Sequence, residues 1–191
     1  MTTARLALAA LAAVLWSFGA AFAAGPQVEM RTSLGTFTIE LWPDKAPKTV
    51  ENFLAYVSDG HFRGLIFHRV IPGFVIQGGG LTPDMRARPT KRPIPNEADN
   101  GLTNRAYTLS MARTRDPHSA TSQFFVNLRD NAALDHSARS AAGWGYAVFG
   151  KVVRGTEVVD AIAAVPTGNV GPYSDVPSRA VVIEDARVLP P

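Results

Sequence analysis

An arginine and a glutamine eight residues apart are the most informative pair of side chains in this 191-residue sequence. Arg69 and Gln77 lie within a mostly apolar run, residues 66–80, that is interrupted by Pro72-Gly73. A Pro-Gly pair between two apolar runs predicts a strand, a turn and a second strand. This hairpin would bring one permanent cation and one amide to the same apolar wall. Such a surface suits a reaction in which the substrate is uncharged and none of its covalent bonds is cleaved.

The other reactive side chains argue against covalent or metal chemistry. The chain has no cysteine, which excludes thiol nucleophiles, disulfides and cysteine-bound zinc. Asp116, His118 and Ser119 lack the signature of a hydrolase nucleophile, and the four histidines lack the spacing of zinc ligands on a helix. Gly78-Gly79-Gly80 is not followed by the Lys-Ser/Thr of a phosphate-binding loop, so turn glycines explain it better. We expect an activity without cofactor or metal.

The composition is typical of one globular domain. Hydrophobic residues make up 46% of the chain and charged residues 18%, which is enough apolar material for a sizeable core. The net charge of +3 is a mild excess rather than the clustered basic surface of a nucleic-acid-binding protein. Prolines interrupt the nearest basic cluster, which we interpret as a solvated loop; its members are Arg86, Arg88, Lys91 and Arg92.

Residues 1–23 have the features of a secretory signal peptide. Arg5 supplies a short positive segment, an apolar run follows at residues 6–16, and Ala21-Phe22-Ala23 matches a cleavage site. The apolar run is shorter than the roughly 20 residues of a membrane-spanning helix. We therefore expect cleavage after Ala23, a periplasmic location and a mature domain of residues 24–191 without a membrane span. An uncleaved N-terminal anchor is the alternative.

Hydrophobic periodicity predicts a mainly β domain with two helices. Helical spacing follows Pro47 and, again, Gly155, and residues 131–134 could form one helical turn. Residues 78–105 are rich in glycine, proline, asparagine and charge, which predicts a long loop. Many strands with only two distant helices indicate a barrel or sandwich covered at its open ends. Strands are expected at residues 28–33, 36–42, 65–70, 74–77, 107–112, 123–128, 146–153 and 180–189.

Five motifs follow one another between residues 28 and 189: FHRVIPGF at 67–74, QGG at 77–79, LSMA at 109–112, SQFF at 122–125 and VFGKV at 148–152. Together they resemble the cyclophilin family of peptidyl-prolyl cis-trans isomerases. The leader, NEADNGL at 96–102 and VGPY at 170–173 resemble bacterial periplasmic members in particular. The resemblance implies a closed eight-stranded antiparallel β-barrel capped by two α-helices.

The resemblance also assigns roles to individual residues. Arg69 matches the catalytic arginine of the family. Four apolar residues would form the pocket that holds the substrate proline: Phe74, Val75, Phe125 and Leu134.

Five further positions would bind the peptide around that pocket. Gln77 and Gln123 would hold its backbone, and Ala112 and Arg113 would line the groove beside them. Arg113 stands where the family often has asparagine. Tyr146 stands where the family has a pocket histidine, as in bacterial relatives.

Ala133 departs from the family pattern at the edge of the pocket. The family often has an aromatic residue, commonly tryptophan, immediately before the leucine that Leu134 matches. Without this ring we expect weak inhibition by cyclosporin-type macrocycles, while the prolyl pocket itself stays largely intact.

The implied function is peptidyl-prolyl cis-trans isomerisation of proline-containing, unfolded or partly folded secreted proteins by a monomer. Rotation about an X–Pro bond requires no nucleophile, proton shuttle or metal, so we expect a rate that is independent of pH near neutrality. The alternative is a binding module or holdase chaperone with incidental isomerase activity, suggested by Ala133 and by the long loop. Arg69 and Gln77 favour the enzyme.

Overall fold

The computed structural model describes residues 25–190, so the predicted signal peptide and its cleavage site lie outside the described residues. Within that range the helices are α1 (Pro47–Ser58) and α2 (Thr156–Ala163), and Ala132–Leu134 forms one 3-10 turn. The strands are β1 (Gln27–Thr32), β2 (Gly35–Leu41), β3 (Phe67–Ile71), β4 (Val75–Gly78), β5 (Thr108–Met111), β6 (Phe124–Asn127), β7 (Val148–Arg154), β8 (Thr167–Val170), β9 (Tyr173–Pro177) and β10 (Ile183–Val188).

Eight of the strands form one antiparallel sheet that curls around the core. Their order is β10-β1-β2-β7-β5-β6-β4-β3, and every neighbouring pair is antiparallel. The eight predicted strands and both predicted helices are present. A mainly β fold with eight antiparallel strands and two helices is therefore confirmed.

The prediction of a closed barrel is not supported, because the strand order leaves β3 and β10 as free edges. The edges meet at one isolated bridge between Ile66 and Val182, where Ile183 N donates to Leu65 O at 2.7 Å. Gly64 N donates to Ile183 O at 2.8 Å and Phe67 N donates to Val181 O at 3.0 Å, so the contact between the edges is short. The sheet is thus an open, curled half-barrel.

A second sheet, the β8–β9 hairpin, is not predicted by the sequence analysis. All four residues of β8 are exposed, so no alternation of apolar and polar residues marks the strand. Gly171, with φ of 54°, lies in the turn between the two strands. Strand β9 packs against β3, which places this hairpin beside Arg69.

Aromatic rings from α1 and the sheet fill the interior. Phe53 of α1 lies at ring-centroid distances of 5.2 Å from Phe62, 5.6 Å from Phe124 and 5.2 Å from Phe149. All four side chains are at most 1% exposed. Burial of each such ring contributes about 1.5–3 kcal/mol relative to an exposed ring, so this cluster fixes the helix against the sheet that carries the site.

A distant carboxylate caps the first turn of α1. Glu97 accepts hydrogen bonds from Lys48 N at 3.2 Å and from Thr49 N at 2.9 Å. A carboxylate at a helix N-terminus satisfies free N–H groups and complements the helix dipole. The contact also ties the long loop to the helix. No helix between residues 25 and 190 is long and apolar enough to cross a membrane.

The basic cluster in the long loop is largely exposed, with Arg86, Lys91 and Arg92 at the surface, but two of its cations also make local contacts. Arg88 donates to the carbonyl oxygens of His61 at 2.6 Å and Arg63 at 2.8 Å. Lys91 pairs with Asp59 at 2.6 Å. These two cations are therefore engaged locally, and the loop is held against the body of the domain.

Candidate active site

The β3–β4 hairpin places Arg69 directly opposite Gln77. Phe74 N donates to Ile71 O at 3.0 Å, and Gly73 has φ of 69°. This is the pattern of a type II turn, in which proline presets the first corner and glycine supplies the positive φ. The register pairs Arg69 with Gln77, and Arg69 Nη1 lies 3.5 Å from Gln77 Oε1. The predicted hairpin with one cation and one amide is confirmed.

Gln123 extends this row of polar groups. Gln77 Nε2 donates to Gln123 Oε1 at 2.9 Å. Gly79 has a positive φ of 83°, as expected of a turn glycine. Gly80 has a different role: a Cβ there would lie 2.5 Å from the Gln123 Cγ. The absence of a side chain at residue 80 therefore leaves room for the glutamine pair.

A cavity of about 160 Å³ opens beside Arg69; it is called the prolyl pocket after the role that the sequence analysis predicts for it. Val75 and Phe125 are nearly fully buried in its wall, at 3% and 4% exposure, whereas Phe74 and Leu134 are half-buried. Nine of the ten residues predicted from the sequence line it: Arg69, Phe74, Val75, Gln77, Ala112, Arg113, Phe125, Leu134 and Tyr146. The tenth, Gln123, lines an adjoining depression together with Arg69 and Gln77.

Tyr146 and Arg113 form one rim of the prolyl pocket. The Tyr146 ring meets Phe125 edge-on with centroids 5.5 Å apart. The Arg113 guanidinium lies 4.6 Å from the centroid of the Tyr146 ring, and its Nε donates to Gly145 O at 2.9 Å. A cation over an aromatic ring contributes about 0.5–1 kcal/mol at an exposed site. These contacts hold a second cation in a defined orientation at the pocket.

Buried amides support the pocket from behind. Asn131 Nδ2 donates to Phe74 O at 3.0 Å and to Asn127 Oδ1 at 2.8 Å. Asp135, next to the pocket residue Leu134, accepts from Asn104 N at 2.6 Å through Oδ1. The sequence analysis missed these supporting roles. A single sequence carries no signal that separates a buried asparagine from an exposed one.

Asp175 in β9 is another neighbour that the sequence analysis missed. Its Oδ2 lies 3.9 Å from Arg69 Nε, and the two side chains are 40% and 39% exposed. Asp175 has φ of 58°, a left-handed conformation that aspartate tolerates better than most residues. An ion pair with this exposure adds less than about 1 kcal/mol to stability. The pair therefore contributes little to stability.

His68 is buried next to Arg69 in β3, with 6% of its surface exposed. Burial lowers the pKa of His68 from its ordinary 6.5 to about 4; the Arg69 charge adds to this, and a backbone hydrogen bond at Ile66 opposes it. The imidazole is therefore neutral near pH 7. Its Nδ1 has no hydrogen-bond partner within residues 25–190. This burial indicates a structural role for His68.

The residues that could suggest a hydrolase bind the backbone instead. Ser119 Oγ donates to Asp116 O at 2.7 Å, and His118 Nδ1 accepts from Asn96 N at 3.0 Å. The serine and the histidine thus do not form a nucleophile–base pair. In the described part of the chain, no group of three or more histidine, aspartate or glutamate side chains is placed to hold a metal ion.

Comparisons with known proteins agree with this arrangement. The family model "Cyclophilin type peptidyl-prolyl cis-trans isomerase/CLD" matches residues 27–188. The chain is 60% identical over 162 residues to the peptidyl-prolyl cis-trans isomerase cyp18 of Streptomyces antibioticus, covering 85% of this chain and 98% of the relative. It is 53% identical to the peptidyl-prolyl cis-trans isomerase A of Dickeya dadantii, covering 95% and 96%.

A solved structure shares the fold. The cyclophilin type peptidyl-prolyl cis-trans isomerase of Cryptosporidium parvum, crystallised in the presence of the dipeptide Ala-Pro, matches with a TM-score of 0.74 and 29% identity. The match covers 86% of this chain and 99% of that structure.

The curled eight-stranded sheet and its pocket therefore define a domain of the cyclophilin class. The chain belongs to the cyclophilin-type peptidyl-prolyl cis-trans isomerase family. It is a peptidyl-prolyl cis-trans isomerase, and the holdase alternative is not favoured. The roles of the individual site residues and the periplasmic location stay predictions.

Proposed function

We propose that this isomerase rotates X–Pro bonds of secreted polypeptides with Arg69 as its catalytic group. The observation that carries the proposal is the guanidinium of Arg69 beside a pocket that Val75 and Phe125 line, with Gln77 directly opposite it. The cis and trans forms of an X–Pro bond differ by about 0.5–1 kcal/mol. The barrier between them is about 18–20 kcal/mol, because rotation disrupts amide resonance.

The size of that barrier defines what the site must achieve. Uncatalysed exchange takes tens of seconds. Turnover in less than a millisecond requires about 7 kcal/mol of transition-state stabilisation, at roughly 1.4 kcal/mol per tenfold in rate. Binding the planar substrate more tightly would not supply this, because only interactions that strengthen in the transition state raise the turnover rate.

The Arg69 guanidinium can provide such an interaction. When the amide twists, its nitrogen becomes pyramidal and gains a lone pair, and its carbonyl loses dipole. Arg69 donates a hydrogen bond to this nitrogen, which is a poor acceptor in the planar ground state. Arginine suits the role because it stays charged at any working pH and offers several directed donors.

The apolar wall contributes in two further ways. Val75 and Phe125 anchor the pyrrolidine ring while the residue before proline rotates. By excluding water, the wall also favours the less polar twisted amide and strengthens the field of Arg69. The amides of Gln77 and Gln123 hold the peptide backbone in the adjoining depression, which also contacts Arg69. The pocket is complete within one chain, which supports a monomer as the acting form.

We further propose that the mature enzyme works in the periplasm on secreted proteins as they fold. The leader pattern in residues 1–23 supports this proposal, as does the absence of cysteine, which is compatible with an oxidising compartment. The match to the Dickeya dadantii relative covers more of the chain than residues 27–188 and so extends into the leader. Mass spectrometry of protein from the periplasmic fraction tests it: a mature N-terminus near Ala24 is expected, and retention of residues 1–23 would contradict it.

The catalytic proposal is tested by exchange NMR on a short X–Pro peptide with native protein, Arg69→Ala and Arg69→Lys. We expect Arg69→Ala to lower kcat/KM by about 100-fold, as the loss of a transition-state donor typically does, while peptide affinity changes by less than about threefold. Arg69→Lys retains a charge without the directed donors and should be intermediate. Native rates in Arg69→Ala would refute Arg69 as the catalytic group.

A further inference from the structure

The prolyl pocket continues into a wider depression of about 690 Å³, here called the alanine groove. The two share Arg113, Leu134 and Tyr146. The rest of the groove wall consists mainly of small residues and one more cation: Thr114, Arg115, Ala133, Ala141, Ala142 and Gly145. Because the alanine side chains are small, the side chains of Arg113 and Arg115 are accessible to a ligand in this groove.

Neither of these two arginines forms an ion pair in the described part of the chain. Within residues 25–190, neither Arg113 nor Arg115 has a carboxylate oxygen within 4.0 Å. Arg113 donates only to carbonyl oxygens, to Gly145 O at 2.9 Å and to Thr114 O at 3.0 Å. No described aspartate or glutamate lines the prolyl pocket or the alanine groove.

Three carboxylates near these arginines in the sequence accept hydrogen bonds from other groups. Asp116 accepts from His118 N at 2.9 Å, and Asp135 accepts from Asn104 N at 2.6 Å. Asp99 pairs with Arg139 at 2.6 Å. Arg69, the other cation of the site, has a carboxylate nearby, because Asp175 lies 3.9 Å from it. The positive field of the site is therefore concentrated on the alanine-groove side.

We propose that the alanine groove selects X–Pro segments that carry an aspartate or glutamate within three residues of the proline. Arg113, already oriented by Tyr146 and Gly145, receives the acidic side chain, and Arg115 adds to the attraction. Guanidinium groups bind carboxylates through two parallel hydrogen bonds, which gives geometric selectivity as well as attraction. This inference rests on the proposed isomerase function and names the substrate class for it.

The test uses blocked alanine peptides that contain one Ala-Pro bond. Glutamate, glutamine or lysine is placed at each single position one to three residues from the proline, and kcat/KM is measured by exchange NMR at low and high salt. For at least one position we expect glutamate to exceed glutamine by about 3- to 10-fold at low salt, with lysine below both. The preference should shrink below about twofold at 0.5 M salt, because exposed charges are screened.

Three variants locate the preference. Arg115→Gln should weaken it. The double variant Arg113→Gln/Arg115→Gln should abolish it. The ratio of kcat/KM for the glutamate peptide to that for the glutamine peptide is taken within each variant, so a general loss of activity cancels. Arg154→Gln is the matched control, because it removes the same charge from an exposed position in β7 that lines neither depression.

The outcomes separate this inference from the proposed function. Suppose that the native enzyme accelerates the all-alanine peptide, but at no position does glutamate raise kcat/KM more than about twofold over glutamine. That result would refute this inference and leave the proposed function intact. The same holds if the preference survives in the double variant or disappears equally in Arg154→Gln. Failure to accelerate even the all-alanine peptide would refute the proposed function itself.

Discussion

The carboxylate of Asp175 lies 3.9 Å from the guanidinium of Arg69, although the two residues belong to different sheets. Strand β9 packs on β3 and brings them together. Gln77 contacts the same guanidinium from the opposite strand of the β3–β4 hairpin. The Arg69 guanidinium thus lies between an acidic group and an amide.

Replacement of Asp175 should therefore change catalysis more than stability. We expect Asp175→Asn to lower kcat/KM by about two- to fivefold at low salt, since an exposed ion pair contributes about 0.2–1 kcal/mol, with a smaller effect at 0.5 M salt. The measurement is peptide exchange at both salt concentrations. Asp84→Asn, which removes a similar exposed pair with Arg86 outside the site, is the control. Equal rates for native protein and Asp175→Asn at low salt would show that the pair does not orient Arg69.

Addition of one methyl group at Gly80 should disturb the glutamine pair. The new Cβ would lie 2.5 Å from Gln123 Cγ, so the side chain of Gln123 must leave its place beside Gln77. We expect Gly80→Ala to lower kcat/KM by about tenfold and the free energy of unfolding by about 1 kcal/mol, the order of one strained rotamer.

Gly168 offers a matched comparison for that substitution. A Cβ at this position meets nothing within 4 Å. Gly168→Ala should therefore keep native activity in the same assay. Full activity in Gly80→Ala would mean that the Gln77–Gln123 contact is not needed.

Burial of His68 should make stability depend on pH below neutrality. Its pKa is lowered to about 4 in the folded protein, against an ordinary value of 6.5. The unfolded chain therefore binds the proton first, and stability falls as the pH decreases from about 6.5 to about 4. The full effect is on the order of 3 kcal/mol, at roughly 1.4 kcal/mol per pKa unit.

Denaturant unfolding at pH 7 and pH 4.5 checks this effect with native protein and His68→Leu. The pH dependence of the variant should be weaker by an amount on the order of 2–3 kcal/mol. His61, whose pKa is also lowered by burial, remains in both proteins and so does not enter the difference. Identical pH dependence in the two proteins would contradict the assignment.

The rate of isomerisation should not depend on pH between about pH 6 and 8. The proposed mechanism transfers no proton, and the histidine next to Arg69 in the sequence is neutral throughout this range, because its pKa is about 4. The measurement is kcat/KM for an uncharged X–Pro peptide across that range. A change of tenfold with the slope of a single titrating group would show that a proton transfer limits the rate.

A ring at Ala133 should restore binding of cyclosporin-type macrocycles. Ala133 is exposed in the 3-10 turn and lines the alanine groove, so a tryptophan there can cover a ligand without entering the prolyl pocket. We expect Ala133→Trp to tighten inhibition at least about tenfold, the order of 1.4 kcal/mol. Turnover of a short X–Pro peptide should stay within about twofold.

Ala132→Trp is the control for this substitution. Ala132 is exposed in the same turn but lines neither the prolyl pocket nor the alanine groove. An equal gain in inhibition at Ala132 would show that added apolar surface, rather than its place, is responsible.

The local features of this protein were determined by the sequence itself. Pro72-Gly73 defines the turn, and the turn fixes the register that sets Arg69 against Gln77. The helical spacing after Pro47 likewise specifies which face of α1 is buried. These features depend on residues close together in the chain, where backbone sterics and periodicity act directly.

Only the tertiary structure decided which distant residues meet. The contact of Gln77 with Gln123, the capping of α1 by Glu97 and the pairing of Arg69 with Asp175 each join separate segments. The open edge of the sheet was decided in the same way, since a bridge forms at Ile66 and Val182 where a full ladder was expected. The reason is physical: periodicity reports whether a side chain faces the core, but the partner it meets depends on how the sheet curls and where its loops cross.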